Sequence, residues 1–266
     1  MDPLEQFKET QKKGWSTFGQ NELQTCMPAA RLVAFAKPKA SERVLDVACG
    51  TGVVAIAAAR TGAQVTGLDL TPELIARARE NSAITGDAIE WHEGDAEALP
   101  FPDASFDMVL SQFGHMFAPR PEVVTREMLR VLKPGGTIAF ATWPPEMYSG
   151  RMFALVGKYL PPPPEGVAPP ALWGSPDVVS ERLGNAVTDV VFDRGVLRTP
   201  GFGPRHMRVY FESSGASVTR AVKHLSDQPE KLETLRNEVE ALIAEYFDPA
   251  ENVLRQDYLL TRARKV

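Results

Sequence analysis

The chain has 266 residues, 44% apolar and 24% charged, a balance that excludes a disordered polyelectrolyte and fits a globular fold. Its net charge of −5 offers no general basic footprint for nucleic acid, so no nucleic-acid partner is expected. Two cysteines, Cys26 and Cys49, are too few for a disulfide framework, and no His/Cys cluster points to a metal; a reducing, cytoplasmic setting without a metal ion is expected.

The opening MDPLEQFKETQKKGW is polar and lacks the apolar run of a signal peptide. No later stretch approaches the roughly 18–20 apolar residues that span a bilayer. Residues 3–36 read as helical, with Leu23, Met27, Ala30, Arg31, Ala34 and Phe35 along one segment, and form a lead-in suited to cover the mouth of a sheet. From residue 43 to 142, short β-branched runs alternate with helical patterns. Strands are expected at RVLDVA (43–48), AQVTGLD (63–69), AIEWHEG (88–94), SFDMVLS (105–111) and GTIAFATW (136–143). Helices are expected at 53–60, at 72–84 behind the Thr71-Pro72-Glu73 start signal, and at 121–132, where Lys133-Pro134-Gly135-Gly136 stops the helix and turns the chain. Strands joined by helical crossovers predict an α/β fold with a doubly wound parallel sheet.

Composition changes after the fifth strand. Pro144-Pro145, the run Pro161 to Pro164, and Pro169-Pro170 make residues 144–176 semi-rigid, and the segment reads as an inserted lid. A helix at 176–183, a strand at 187–198, helices at 215–226 and 229–247, and a last strand at 257–265 complete the expectation. The whole of 1–266 is read as a single domain: helical cover 1–40, ligand-binding core 41–143, lid and acceptor insertion 144–186, and C-terminal strands and helices 187–266.

The chemistry concentrates in VLDVACGTG (44–52). Gly50-x-Gly52-x-x-Ala55, with Asp69 closing the next strand, fits a nucleoside-binding turn. In a dinucleotide site this turn holds a pyrophosphate on backbone N–H groups. A carboxylate at Asp46, about 5 Å away, would oppose each phosphate charge by on the order of 3 kcal/mol at an effective dielectric near 20. S-adenosylmethionine has no phosphate and carries an ammonium and a sulfonium, so the sign of Asp46 favours it. Asp69 suits a ribose diol, and Asp95, after the third strand, suits the adenine amine.

VLDVACGTG, the acid at Asp69, GDAEALPFPDASFDMVLS (94–111) and VLKPGG (131–136), in this order, resemble a class I S-adenosylmethionine-dependent methyltransferase of the type-11 group, similar to the ubiquinone/menaquinone biosynthesis enzymes. The resemblance is strong over residues 40–143 and thin outside them. It implies a Rossmann-like seven-stranded sheet with an antiparallel final strand. It also implies that Asp46, Ala48, Cys49, Gly50 and Gly52 line the methionine side, Asp69 and Leu70 the ribose, Asp95 and Ala96 the adenine, and Ser111 and Gln112 the sulfonium and methyl. Ala48 departs from the glycine often found there.

Methyl transfer by a single in-line displacement needs alignment more than acid–base chemistry, which accounts for the lack of a catalytic triad. His115, on the loop after the fourth strand, is the candidate general base. Trp15, Phe113, Phe117, Trp143 and Trp173 suggest an apolar or aromatic pocket for a small-molecule methyl acceptor, with Trp15 and Phe18 also candidate covers for the cofactor. Competing readings are an NAD(P)-dependent oxidoreductase, a macromolecule methyltransferase, and a non-catalytic module that binds the cofactor.

Overall fold

Proline and glycine punctuate the fold as they punctuate the sequence. The computed structural model describes residues 2–16 and 18–266; Met1 and Thr17, which the expected single unit includes, lie outside the described residues. α1 (Pro3–Trp15), a 3-10 turn (Phe18–Asn21) and α2 (Glu22–Ala36) form the lead-in. The alternating section contains β1 (Arg43–Val47), α3 (Val53–Ala59), β2 (Gln64–Asp69), α4 (Pro72–Thr85), β3 (Ile89–Glu93), β4 (Phe106–Gln112), α5 (Pro121–Val131) and β5 (Leu132–Thr142). Then come α6 (Tyr148–Gly157), α7 (Pro176–Leu183), β6 (Val187–Pro200), α8 (Pro204–Ser214), α9 (Ala216–His224), α10 (Pro229–Tyr246), β7 (Phe247–Asp248) and β8 (Val253–Lys265). α1, α4, α5, α7, α8 and α10 each open on a proline, whose missing N–H is no loss in a first turn. α4 ends at Gly86 in the left-handed conformation that a glycine adopts without penalty.

The sheet runs β3-β2-β1-β4-β5-β8-β6, seven strands as expected, with the two-residue β7 added against β8. β1 to β5 are parallel, and β8 lies antiparallel to both neighbours. β1, β4 and the 138–142 half of β5 are mostly buried, which explains their near-continuous apolar sequences.

Several elements differ from expectation. β5 begins at Leu132: Phe106 pairs with Leu132 and Met108 with Thr137, so Lys133–Gly136 bulges from the strand, with Gly135 at φ 73°, instead of forming a separate turn. Leu23 and Met27 are 81% and 71% exposed, because α2 buries its Ala29, Leu32, Val33 and Ala36 face instead. α6 and α8 have no counterpart among the expected elements. They join α9, α10 and Leu254 of β8 in a second apolar cluster beside the one around the sheet. Among the described residues, no helix is long and apolar enough to cross a membrane, and no group of three or more His, Cys, Asp or Glu side chains is arranged to hold a metal.

The proline-rich segment is held against β5. Thr142 Oγ1 donates to the Trp173 carbonyl at 2.8 Å, and a Cβ at Gly174 would lie 2.3 Å from the backbone of Pro144 and Trp143. None of residues 144–186 lines the main cleft, and the segment braces the sheet at β5. The cover comes from α1 and the 3-10 turn after it.

Candidate active site

Strand order reverses between β1 and β4, whose outgoing connections diverge and leave a crevice at the carboxyl ends of the strands. A cleft of about 980 Å³, including its open mouth, lies there. Its floor is the turn after β1. Ala48, Gly50 and Gly52 all have positive φ, at 54°, 56° and 84°. For Ala48 this conformation costs about 1–2 kcal/mol, which accounts for the glycine more usual at that position. A Cβ at Gly50 would meet nothing within 4 Å, leaving the backbone open to a ligand, whereas one at Gly52 would lie 2.5 Å from the Trp91 ring. Gly52 is therefore required by packing, and it does not line the cleft.

Asp69 fixes the turn. It accepts from the Gly50 N–H through Oδ2 and the Thr71 N–H through Oδ1, both at 2.8 Å, and is 7% exposed. Burial raises its pKa, and the N–H donors oppose that rise. Each oxygen keeps a lone pair for a further donor. Leu70 and Ala96 lie in the same wall.

Asp95 accepts from the Glu97 N–H at 2.9 Å and is bound by the Lys8 ammonium at 2.5 Å. Lys8 also reaches Glu97 at 2.8 Å, and Glu97 is gripped by the Arg120 guanidinium at 2.7 and 3.0 Å. Burial alone would lower the pKa of Lys8, but its two carboxylate partners raise it. Lys8 is the one buried residue of α1, so a charged contact pins the cover to the wall of the cleft. Trp15 closes the far side, its ring 4.7 Å from Phe117 and 5.6 Å from Phe18. No local signal marks Lys8, which reads in sequence as a solvated lysine on a polar helix. Glu97 sits inside the GDAEALPFPD segment, where nothing sets it apart from its acidic neighbours.

Other expected residues fall away from the cleft. Asp46 is 1% exposed and lies beneath the turn, with Oδ2 accepting from the Ala55 N–H at 3.0 Å in the first turn of α3; it does not line the cleft. Its other oxygen, Oδ1, is buried and has no hydrogen-bond partner. Burial pushes its pKa well up; the Ala55 N–H opposes that rise and the charge of Asp69 adds to it. Ser111 is fully buried and staples β4 to β1, donating to the Val47 carbonyl at 2.7 Å and accepting from the His115 N–H at 3.2 Å. Cys49 lines the cleft as a buried thiol whose pKa burial pushes up. Trp143 stacks on Phe113 at 3.8 Å and Trp173 is 2% exposed; neither lines the cleft, because both pack into the core behind it. Phe113 and Phe117 do line it, and so does Gln112.

His115 belongs to the cleft wall, but its ring packs edge-on to Phe140 at 4.8 Å and Trp173 at 4.7 Å. Both ring nitrogens are shielded from solvent and have no partner. Burial, aided by the charge of Arg182, lowers its pKa from 6.5 to about 3. A ring so weakly basic and so enclosed does not support the general-base expectation. Below about pH 6.5 the unfolded chain binds a proton here that the folded chain refuses until about pH 3, so this histidine makes stability fall as pH drops through that window. Denaturant unfolding at about pH 7 and about pH 5 should show roughly 2 kcal/mol more acid destabilisation in the parent than in His115→Asn. Identical pH dependence would mean that the folded ring protonates normally.

A family model described as a methyltransferase domain matches residues 45–140. An uncharacterized protein of Mycobacterium tuberculosis, Rv1403c, is 40% identical over 235 residues, covering 88% of this chain and 85% of the relative. The demethylmenaquinone methyltransferase of Thermus thermophilus is 40% identical over 117 residues, 43% of this chain and 53% of that protein. Among solved structures, the phosphoethanolamine N-methyltransferase 2 of Haemonchus contortus in complex with S-adenosyl-L-methionine shares the fold at a TM-score of 0.55 and 19% identity, covering 90% of this chain and 52% of that one.

Proposed function

The chain belongs to the S-adenosylmethionine-dependent methyltransferases, and from that premise we propose that it methylates a small, apolar or aromatic molecule by a single in-line displacement. The observation that carries this reading is the lining of the cleft. Lys8, Asp69 and Asp95 are the charged residues among the described ones there, and Lys8 and Asp95 neutralise each other. The remaining wall opposite the glycine turn is aromatic or neutral: Trp15, Phe18, Phe113, Phe117, Thr25 and Gln112. Such a wall favours an uncharged, apolar guest over a polyanion or a charged peptide. Two partial relatives are named for different substrates, a demethylmenaquinone methyltransferase and a malonyl-[acyl-carrier protein] O-methyltransferase, so relatedness alone leaves the acceptor open.

The residues present fit the cofactor. The space above Gly50 is open, Asp69 keeps lone pairs for the ribose diol, and the carboxylate of Asp95 stands in reach of a purine amine once Lys8 shares it. Ala48, Cys49 and Gly50 would follow the methionine portion, Leu70 and Ala96 the nucleoside faces, and Gln112 the methyl side. When bound, the cofactor supplies a methyl group already activated by positive sulfur. The protein's task is to hold an acceptor in line and keep water out, and alignment of that kind contributes up to about 7–11 kcal/mol. α1, with Lys8 and Trp15, provides the exclusion. β8 enters both apolar clusters, which supports reading residues 1–266 as one catalytic unit.

Titration calorimetry against S-adenosylhomocysteine and NADH tests the cofactor: binding of the first and not the second is expected, and the reverse favours an oxidoreductase. Transfer of labelled methyl from S-adenosylmethionine to phenols and aromatic amines, with tRNA and denatured protein as rival acceptors, tests the rest. Label appearing only in a macromolecule would overturn the small-molecule reading.

A further inference from the structure

Gln112 ends β4 in register with Ala141 of β5, and its carboxamide reaches across to α2. Nε2 donates to the Thr25 carbonyl oxygen at 3.0 Å. A carbonyl can only accept, so the amide has no freedom to flip: NH₂ faces Thr25 and oxygen faces the other way. That oxygen, Oε1, has no hydrogen-bond partner and no exposure to solvent. A carbonyl so placed is costly unless a donor arrives, and buried polar groups in folded proteins are almost always satisfied. Both Gln112 and Thr25 belong to the wall of the cleft, so a guest in the cleft meets this side chain.

The position narrows what that donor is. Asp69 ends β2, two strands from β4 across β1, which is roughly 10 Å at the usual strand spacing. The nucleoside contacts assigned to Asp69 and Asp95 therefore lie on the β2–β3 side, and Gln112 stands on the opposite side with Phe113 and the 115–119 turn. The amide is held by its bond to the Thr25 carbonyl, and the neighbouring Phe113 by its stack on Trp143. A neutral, rigid acceptor beside aromatic rings matches an uncharged guest bearing O–H or N–H.

Resting on the methyltransferase reading above, we propose that Gln112 Oε1 accepts a hydrogen bond from the methyl acceptor, making Gln112 a positioning residue that selects phenols or aromatic amines over ethers and hydrocarbons of the same shape. The probes are 4-ethylphenol and its methyl ether, titrated into protein saturated with S-adenosylhomocysteine. The phenol should bind on the order of tenfold more tightly than the ether, because a site built for a hydroxyl leaves its own group unpaired with the analogue. Gln112→Leu, assayed while saturated with S-adenosylhomocysteine, should bring the ratio to about one.

Equal binding of the two probes to the parent protein, or a preference that survives in Gln112→Leu, overturns the assignment. So does a tenfold loss of S-adenosylhomocysteine affinity in that variant, which would make the cofactor the donor. Should Gln112→Leu not fold, a crystal structure of the parent with S-adenosylhomocysteine and 4-ethylphenol decides: the hydroxyl lies within hydrogen-bond reach of Oε1, or the assignment fails. Failure of both probes to bind also sinks it while leaving the methyltransferase reading intact; failure of S-adenosylhomocysteine itself removes that reading.

Discussion

Asp69→Ala should weaken S-adenosylhomocysteine binding by on the order of 100-fold and lower thermal stability as well. Two effects combine. The substitution removes the acceptor proposed for the ribose diol, and a hydrogen bond to a charged group contributes about 1.5–3 kcal/mol. It also strands the Gly50 and Thr71 N–H groups, each now satisfied at 2.8 Å, and so loosens the turn that shapes the cleft floor. Asp69→Asn separates the two: it preserves volume but presents an NH₂ to one of those N–H donors. Calorimetric affinity together with a melting curve reads both effects. An unchanged dissociation constant in Asp69→Ala would dismiss the ribose assignment.

Lys8→Met should release the cover. Removing one partner from a buried ion pair commonly costs about 3–5 kcal/mol, since the remaining charge is left without compensation. Here the Lys8 side chain is 7% exposed and that of Glu97 1%. The loss is limited because α1 can lift away and let water reach Asp95, whereas Arg120 continues to hold Glu97. The expected result is therefore local: amide exchange across residues 3–15 speeds up, and S-adenosylhomocysteine affinity falls about tenfold, some 1.4 kcal/mol. The rest of the fold stays put. Lys8→Arg, which keeps the charge, should recover most of the affinity. Unaltered exchange in Lys8→Met would mean that α1 is docked by something other than this lysine.

The alternation of strands and helices from 43 to 142 is legible because each strand is a short apolar run bounded by Gly, Pro or a polar cap, signals that act within a few residues. The order of the motifs identifies the kind of cofactor for the same reason. Asp46 shows where such reasoning stops: it lies one residue before the end of β1, but one of its oxygens turns towards the Ala55 N–H nine residues on, and only the folded turn reveals that. His115 lies at the expected strand edge, yet its ring faces inward because Trp173, far along the chain, returns to meet it. Lys8 and Asp95 are 87 residues apart, and nothing local marks one as the other's partner. The proline-rich segment reads as a lid by composition, and composition does not say which face of the sheet a strap will grip.

Among the described residues, every one that lines the cleft lies before residue 120. The second half of the polypeptide touches the chemistry only from behind, through Trp143 under Phe113, Trp173 against His115 and Phe153 beside Phe117. Substitutions there reach the acceptor pocket as changes of wall stiffness and tilt, not as new contacts. If the cleft holds the proposed acceptor, altering which molecule is methylated is a problem of the opening helices and residues 112–119, and altering how firmly it is gripped is a problem of everything downstream.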